Sequence, residues 1–322
     1  MDLKKSIQIS TPGAIFFTVV LATTSFFSGY SLMRNNLPTT KVDSTNSVAF
    51  APTKSAKPEL EFYVMSFCPY GNQMEDTLRP VFDLLGSKVN FQPRYIFEKI
   101  SDINSYCQSR SGDPAQCAAY IKNGYFKTDD ECKKAISGNL SKCKDEKAYI
   151  KAENGTMYAS LHGRIEANQD VREICAFNLA TDKKQWWDFI ANVNKNCDST
   201  NADTCWEQQA KQAGFDTNKI TECFNKEGIA LIEKEIALTE KNQVSGSPTV
   251  LVNSTQFPPE AAYAQDGKGS IKIGKAVIGQ EDYRTPNALK EAVCSGFSKA
   301  PGECKKALAK LDGSAPAAGG CN

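Results

Sequence analysis

Phe62-Tyr63-Val64-Met65-Ser66-Phe67-Cys68-Pro69-Tyr70-Gly71 is an apolar strand that runs straight into a cysteine. Leu60 to Phe67 is apolar on both faces, as a strand covered on both sides of a sheet must be. Pro69 suits the first turn of a helix, where its missing N–H leaves no bond unmade. A helix that starts here sets Cys68 at the positive end of its dipole, which favours thiolate over thiol. Met74, Leu78, Val81, Phe82 and Leu85 then recur at helical spacing, and Gly86 supplies the stop. Val89, Phe91, Tyr95 and Phe97 alternate with polar residues as a second strand, so the stretch reads as a βαβ unit.

Working outward, strand character returns at Val244–Val252. Pro248 cannot donate to a sheet ladder and belongs at a strand's start or edge. Ile271, Ile273, Val277 and Ile278 supply further strand about a turn at Gly274, and a helix from Asn287 to Phe297 closes the domain. Helical spacing dominates the middle, at Val171–Leu179, Trp186–Val193 and Ile229–Ile236, with Trp186 and Trp187 expected in the core. The expectation is an α/β domain over 59–311 with a helical insertion at about 98–243, then a disordered tail over 312–322.

The 322-residue chain carries 38 basic and 37 acidic side chains, a balance that points to no nucleic-acid partner. It has 12 cysteines and one histidine, His162. Every neighbouring cysteine pair has at least seven residues between its members, so no Cys-x-x-Cys metal knuckle exists and neither metal nor cofactor is expected. An even count at wide spacing argues for disulfides and an oxidising compartment. The N-terminus agrees. Lys4 and Lys5 precede twenty uncharged residues from Ala14 to Met33, closed by Arg34. That length spans a bilayer, so residues 1–34 read as a signal anchor, or else a cleaved signal peptide. The folded part would then be extracytoplasmic, held by a Ser/Thr/Lys/Pro-rich tether over 35–58.

Cys107, Cys117, Cys132 and Cys143 lie among charged and turn-forming residues, in a segment too poor in apolar surface to fold unaided. Two pairings make physical sense. Each segment closes on itself, or two antiparallel helices are laced as 107–143 and 117–132; spacing does not choose between them.

Several segments together resemble the gamma-interferon-inducible lysosomal thiol reductase family and its bacterial Dsb-type relatives. They are Phe67-Cys68-Pro69-Tyr70-Gly71, Leu161-His162-Gly163-Arg164, Glu173-Ile174-Cys175, Ile220-Thr221-Glu222-Cys223-Phe224 with Gly228–Leu231, Ser247-Pro248, Ala292-Val293-Cys294 and Pro301-Gly302-Glu303-Cys304. The resemblance implies a thioredoxin-like fold with a helical insertion, acting on disulfides of exported or luminal proteins. By it Cys68 is the attacking cysteine and Pro248 the cis-proline, and Pro69, Tyr70, Ser247 and Pro248 meet the substrate. Two departures stand out. Gly71 occupies the place of the family's second catalytic cysteine, and Leu161 that of a cysteine before the His-Gly pair.

A lone thiolate can attack a disulfide, but another thiol must release the mixed disulfide. If 107, 117, 132 and 143 form two bridges, 197–205 and 294–304 close local loops, and 175 pairs with 223, then Cys68 and Cys321 are left over. Cys321 is then a resolving thiol, a bridge to another molecule, or an incidental terminal residue. His162 reads as structural or surface. The expected activity is thiol–disulfide exchange or isomerisation on protein or peptide thiols, through one attacking cysteine that stores no disulfide to donate. Two other readings stay open: a redox-silent peptide-binding module or chaperone, and a monothiol transferase linked to glutathione or a redox partner protein.

Overall fold

The computed structural model describes residues 47–311 and Cys321. The signal-anchor reading and the first part of the tether fall outside the described residues, as do 312–320 and 322 of the tail. Among the described residues no helix is long and apolar enough to cross a membrane. The described chain divides into two compact units, 47–99 with 149–311 and Cys321, and 100–148.

In the larger unit, β2 (Glu59–Val64) is the hub of a four-stranded sheet of order β3-β2-β7-β8. It pairs in parallel with β3 (Asn90–Tyr95), Phe62 lying opposite Pro93, and antiparallel with β7 (Thr249–Val252), Phe62 opposite Val250. β8 (Thr255–Phe257) completes the sheet antiparallel to β7. Pro93 is tolerated because β3 is an edge strand. The parallel β2–β3 pair requires a crossover, and α1 (Pro69–Leu85) supplies it, continuing as a helix through Pro80.

Both faces of β2 are covered, which explains its unbroken burial. On one face Phe62 stacks on Trp187 at 5.7 Å, and Phe91 meets Phe82 of α1 edge-on at 5.3 Å. Trp187 belongs to α6 (Lys183–Asn196). On the other face Glu61 and Arg94 form an ion pair, and Arg94 also reaches Glu235 of α8 (Thr217–Lys241). α5 (Arg164–Leu179) and α7 (Ala202–Gln212) each pack against both of these helices. Cys175–Cys223 ties α5 to α8, and Cys197–Cys205 closes the α6–α7 turn. A short pair, β5 (Ile150–Lys151) and β6 (Met157–Ala159), precedes α5. α9 (Pro286–Ser295) packs on α1 and carries the Cys294–Cys304 bridge.

Part of the segment read as a tether is seated on the domain instead. Val48–Ala49 forms β1, parallel to β9 (Ser270–Ile273), which turns through Gly274 into antiparallel β10 (Ala276–Gly279). Phe50 is buried against Phe257 with ring centroids 5.0 Å apart. The physical reason is the short apolar run Val48-Ala49-Phe50, hidden within a polar composition; burying one phenylalanine stabilises its seat by about 2 kcal/mol.

The smaller unit holds α2 (Ile103–Ser111), α3 (Cys117–Lys122) and α4 (Asp129–Cys143). Asp102 caps α2 and Thr128 caps α4 by accepting main-chain N–H bonds. Apart from Ile100, its buried apolar side chains are Cys107, Cys117, Cys132 and Ile136. The structure holds the laced pairing, Cys107–Cys143 and Cys117–Cys132. With so small a core, the bridges carry much of the unit's order.

Candidate active site

Cys68 is the N-cap residue of α1, with Pro69 in its first turn. Cys68 is fully buried and disulfide-bonded to Cys321, their Cα atoms 6.0 Å apart. The site therefore holds a disulfide, and the expectation of a cysteine with none to donate is corrected. Sequence reading had no means of locating Cys321, which is 253 residues away along the chain.

The partner of this turn is the Ser247–Pro248 loop, whose peptide bond is cis. Ser247 donates its N–H to the Cys321 carbonyl at 2.8 Å, and Cys321 donates its own to the Ser247 carbonyl at 2.7 Å. The two residues thus form an isolated antiparallel bridge. Cys68 Sγ lies 3.6 Å from the Ser247 carbonyl oxygen. Met65, Cys68 and Cys321 make a small buried cluster, with Tyr70, Ile96 and Leu161 packed against it. Pro69 is exposed beside it. Cys321, which falls within the segment read as a disordered tail, is held by a covalent bond and two main-chain hydrogen bonds.

Gly71 has a steric reason to be glycine. A Cβ at this position would stand 2.7 Å from Ser247 Oγ, closer than side chains approach. The atom nearest to that place is the side-chain hydroxyl of Ser247. The remaining ten cysteines form the five bridges described above, and among the described residues none is free.

A set of carboxylates on α5 grips the turn from behind. Ser66 donates from both N and Oγ to Asp170 Oδ1, at 2.9 and 2.6 Å. Phe67 donates its N–H to Glu166 Oε1 at 2.9 Å. The same oxygen binds His162 Nδ1 at 2.8 Å, while Glu166 Oε2 accepts the His162 N–H. His162, read as structural or surface, is thus one carboxylate removed from the residue before Cys68. Burial works against its charge, but the hydrogen bond to Glu166 and that carboxylate's charge outweigh it and hold the His162 pKa above its ordinary value.

One turn further along α5, Glu173 accepts from Tyr95 at 2.8 Å and from Gln169 at 2.9 Å. Burial pushes its pKa up to about 7. Burial, and then the charge of Glu166, raises Asp170 well above the usual carboxylate range. Burial and the charge of Glu173 do the same for Glu75 of α1, which accepts from Asn194 at 2.7 Å. Sequence reading missed this group. Glu166, Asp170 and Glu173 share one helical face by spacing, but an acidic face reads as solvated until the helix is seen to be buried all round.

Comparison with known proteins gives three findings. A family model described as the vacuolar sorting receptor thioredoxin-like domain matches residues 80–263, which include Ser247 and Pro248 but begin after Cys68. No curated protein matches the chain. Among solved structures, the reduced DsbG of Mycobacterium tuberculosis is similar at 14% identity and a TM-score of 0.40, over 80% of this chain and 88% of that one. The reduced DsbA of the same organism matches at 15% and 0.39, over 81% and 93%. Oxidised BdbD from Bacillus subtilis matches at 13% and 0.37, over 68% and 93%.

Proposed function

We propose that this chain, which belongs to the vacuolar sorting receptor thioredoxin-like domain family, is a thiol–disulfide oxidoreductase acting on protein or peptide thiols. One observation carries the reading: the Cys68–Cys321 disulfide lies against the Ser247–Pro248 loop at the start of α1. Cys68 is the attacking sulfur and Cys321 the resolving one. The α1 N-terminus favours Cys68 as thiolate, and no acidic residue in the helix's first turn opposes it.

In the oxidising direction a substrate thiolate attacks Cys68 Sγ. The Cys68–Cys321 bond breaks, and Cys321 leaves as thiolate with the electron pair. A second substrate thiolate then attacks the substrate sulfur of the mixed disulfide and expels the Cys68 thiolate. The substrate loses two electrons and the protein disulfide gains them. In the reducing or isomerising direction Cys68 attacks a substrate disulfide, and Cys321 or a substrate thiol resolves the adduct. All 12 cysteines are bridged, which supports an oxidising, extracytoplasmic compartment. The uncharged run from Ala14 to Met33 is the proposed membrane attachment.

Turnover of a protein with scrambled disulfides tests the reading in the full chain. Cys68→Ser should abolish it, and Cys321→Ser should slow it while mixed disulfides on Cys68 accumulate. Unchanged turnover and unchanged mixed-disulfide lifetime in Cys321→Ser would remove Cys321 from the mechanism.

A further inference from the structure

The chain has three Asn-x-Ser/Thr triplets, Asn139-Leu140-Ser141, Asn154-Gly155-Thr156 and Asn253-Ser254-Thr255. Each matches the acceptor of an N-linked oligosaccharide, and none takes part in thiol chemistry. The fold treats the three asparagines differently. An oligosaccharide on Nδ2 is bulky and hydrated, so the folded chain must leave that nitrogen in water, with no bond that the structure needs. Asn253 fails this condition. Its Oδ1 accepts the Glu59 N–H at 2.8 Å, and its Nδ2 donates to the carbonyls of Thr53 at 2.5 Å and Gly296 at 3.2 Å. A sugar would replace one of those two hydrogens and break the clasp between three separate stretches of main chain. Asn139 fails for another reason. It is half-buried within α4, at helical spacing from Cys132, Ile136 and Cys143, the face that the bridges of the smaller unit hold.

Asn154 meets the condition. Glu153-Asn154-Gly155 is the exposed tip of the β5–β6 hairpin, closed by the Ala152 N–H donating to the Thr156 carbonyl at 2.9 Å. Gly155 has φ +86°, and a Cβ there would meet nothing within 4 Å, so the tip stands clear of the domain. Asn154 Oδ1 accepts the Thr156 N–H at 3.0 Å, which leaves Nδ2 outside the hydrogen bonds of the described residues.

We propose that Asn154 is an N-glycan acceptor, and that Asn139 and Asn253 stay unmodified in the folded protein. The donor class is an oligosaccharide on a lipid pyrophosphate, transferred by a luminal membrane-bound enzyme. Asn154 Nδ2 bonds to C1 of the first sugar, and the bond from C1 to the pyrophosphate oxygen breaks. The pyrophosphate leaves with the electron pair, one amide proton passes to the transferase, and nothing is oxidised or reduced. Attachment precedes folding, so the fold acts as the filter: a chain modified at Asn253 cannot close its clasp, whereas one modified at Asn154 folds with the sugar in water. This rests on the extracytoplasmic reading above and is independent of Cys68.

The test translates the full chain in the presence of eukaryotic microsomes and isolates the disulfide-bonded fraction. Peptide N-glycosidase converts each glycosylated asparagine to aspartate, which mass spectrometry locates. One glycan is expected, on Asn154. Asn154→Gln should abolish the single gel-mobility shift and leave disulfide turnover unchanged, while Ser141→Ala and Thr255→Val should leave the shift in place. Export is read separately, as protection of the chain from protease added outside intact microsomes. A protected chain with Asn154 bare, or a folded chain with sugar on Asn139 or Asn253, would overturn the inference and leave the exchange reading intact. A chain that the protease digests would overturn the extracytoplasmic reading, and this inference with it.

Discussion

Ser247 and Cys321 hold each other through both main-chain groups, at 2.8 and 2.7 Å, while the Cys321 sulfur is bonded to Cys68. A loop, a helix start and the far end of the chain are thereby joined at one point. The same loop fills the space beside Gly71.

The Gly71–Ser247 contact can be tested by stability. Gly71→Ala places a methyl 2.7 Å from Ser247 Oγ and should cost about 1–3 kcal/mol in denaturant unfolding of the full chain. Ser247→Ala removes that oxygen, so the double variant should recover most of the loss. Strict additivity of the two substitutions would show that the contact does not set the penalty.

Asp170 anchors the turn through two bonds from Ser66. Asp170→Ala leaves a buried N–H and hydroxyl unpaired and should destabilise by about 2–4 kcal/mol. Asp170→Asn keeps an acceptor oxygen in the same place, so its loss should be smaller by at least half. Equal losses would mean that the carboxylate itself, and not simply an acceptor oxygen in its place, holds the turn.

Stability should fall as pH rises between about 4.5 and 7. The folded pKa of Glu173 is raised from 4.5 to about 7, so in this window the native state binds more protons than the unfolded chain. The stabilisation is complete below the unfolded pKa and lost as pH rises through the folded one, with a size of the order of 3 kcal/mol. Asp170 and Glu75 are raised in the same direction and steepen the fall. Urea midpoints across this range should show it, and Glu173→Gln should flatten it. A pH-independent midpoint in the native chain would contradict the buried-acid assignment.

The 100–148 unit depends on its bridges. Cys117–Cys132 closes a loop with a sequence separation of 15, so Cys117→Ala with Cys132→Ala should destabilise that unit by about 3 kcal/mol. Limited proteolysis would then cut first between α3 and α4. Resistance equal to the native chain would show that Ile136 and the caps suffice.

Periodicity and local chemistry made much of the fold legible. Leu60–Phe67 announces a strand covered on two faces, Pro69 a helix start, and Met74, Leu78 and Val81 the buried face of α1. These signals span a few residues, the range over which backbone preference and side-chain spacing act. Cys68 stands out for the same reason, whereas the Ser247–Pro248 loop is picked out by the family resemblance. The burial of Glu166, Asp170 and Glu173 is different, because acidic residues at helical spacing look solvated until neighbouring elements cover them.

Sequence alone determined that Cys68 opens a helix and that Gly71 brings no second sulfur, and it left Cys321 over beside Cys68 only if one particular set of bridges formed among the other ten cysteines. Only the tertiary structure decided that these two sulfurs meet, and that Ser247 seats one of them. A contact across 253 residues leaves no local pattern. It follows from the sheet that carries the proline loop to β2, from the helix that starts at Cys68, and from the two main-chain groups of Ser247 that pair with Cys321.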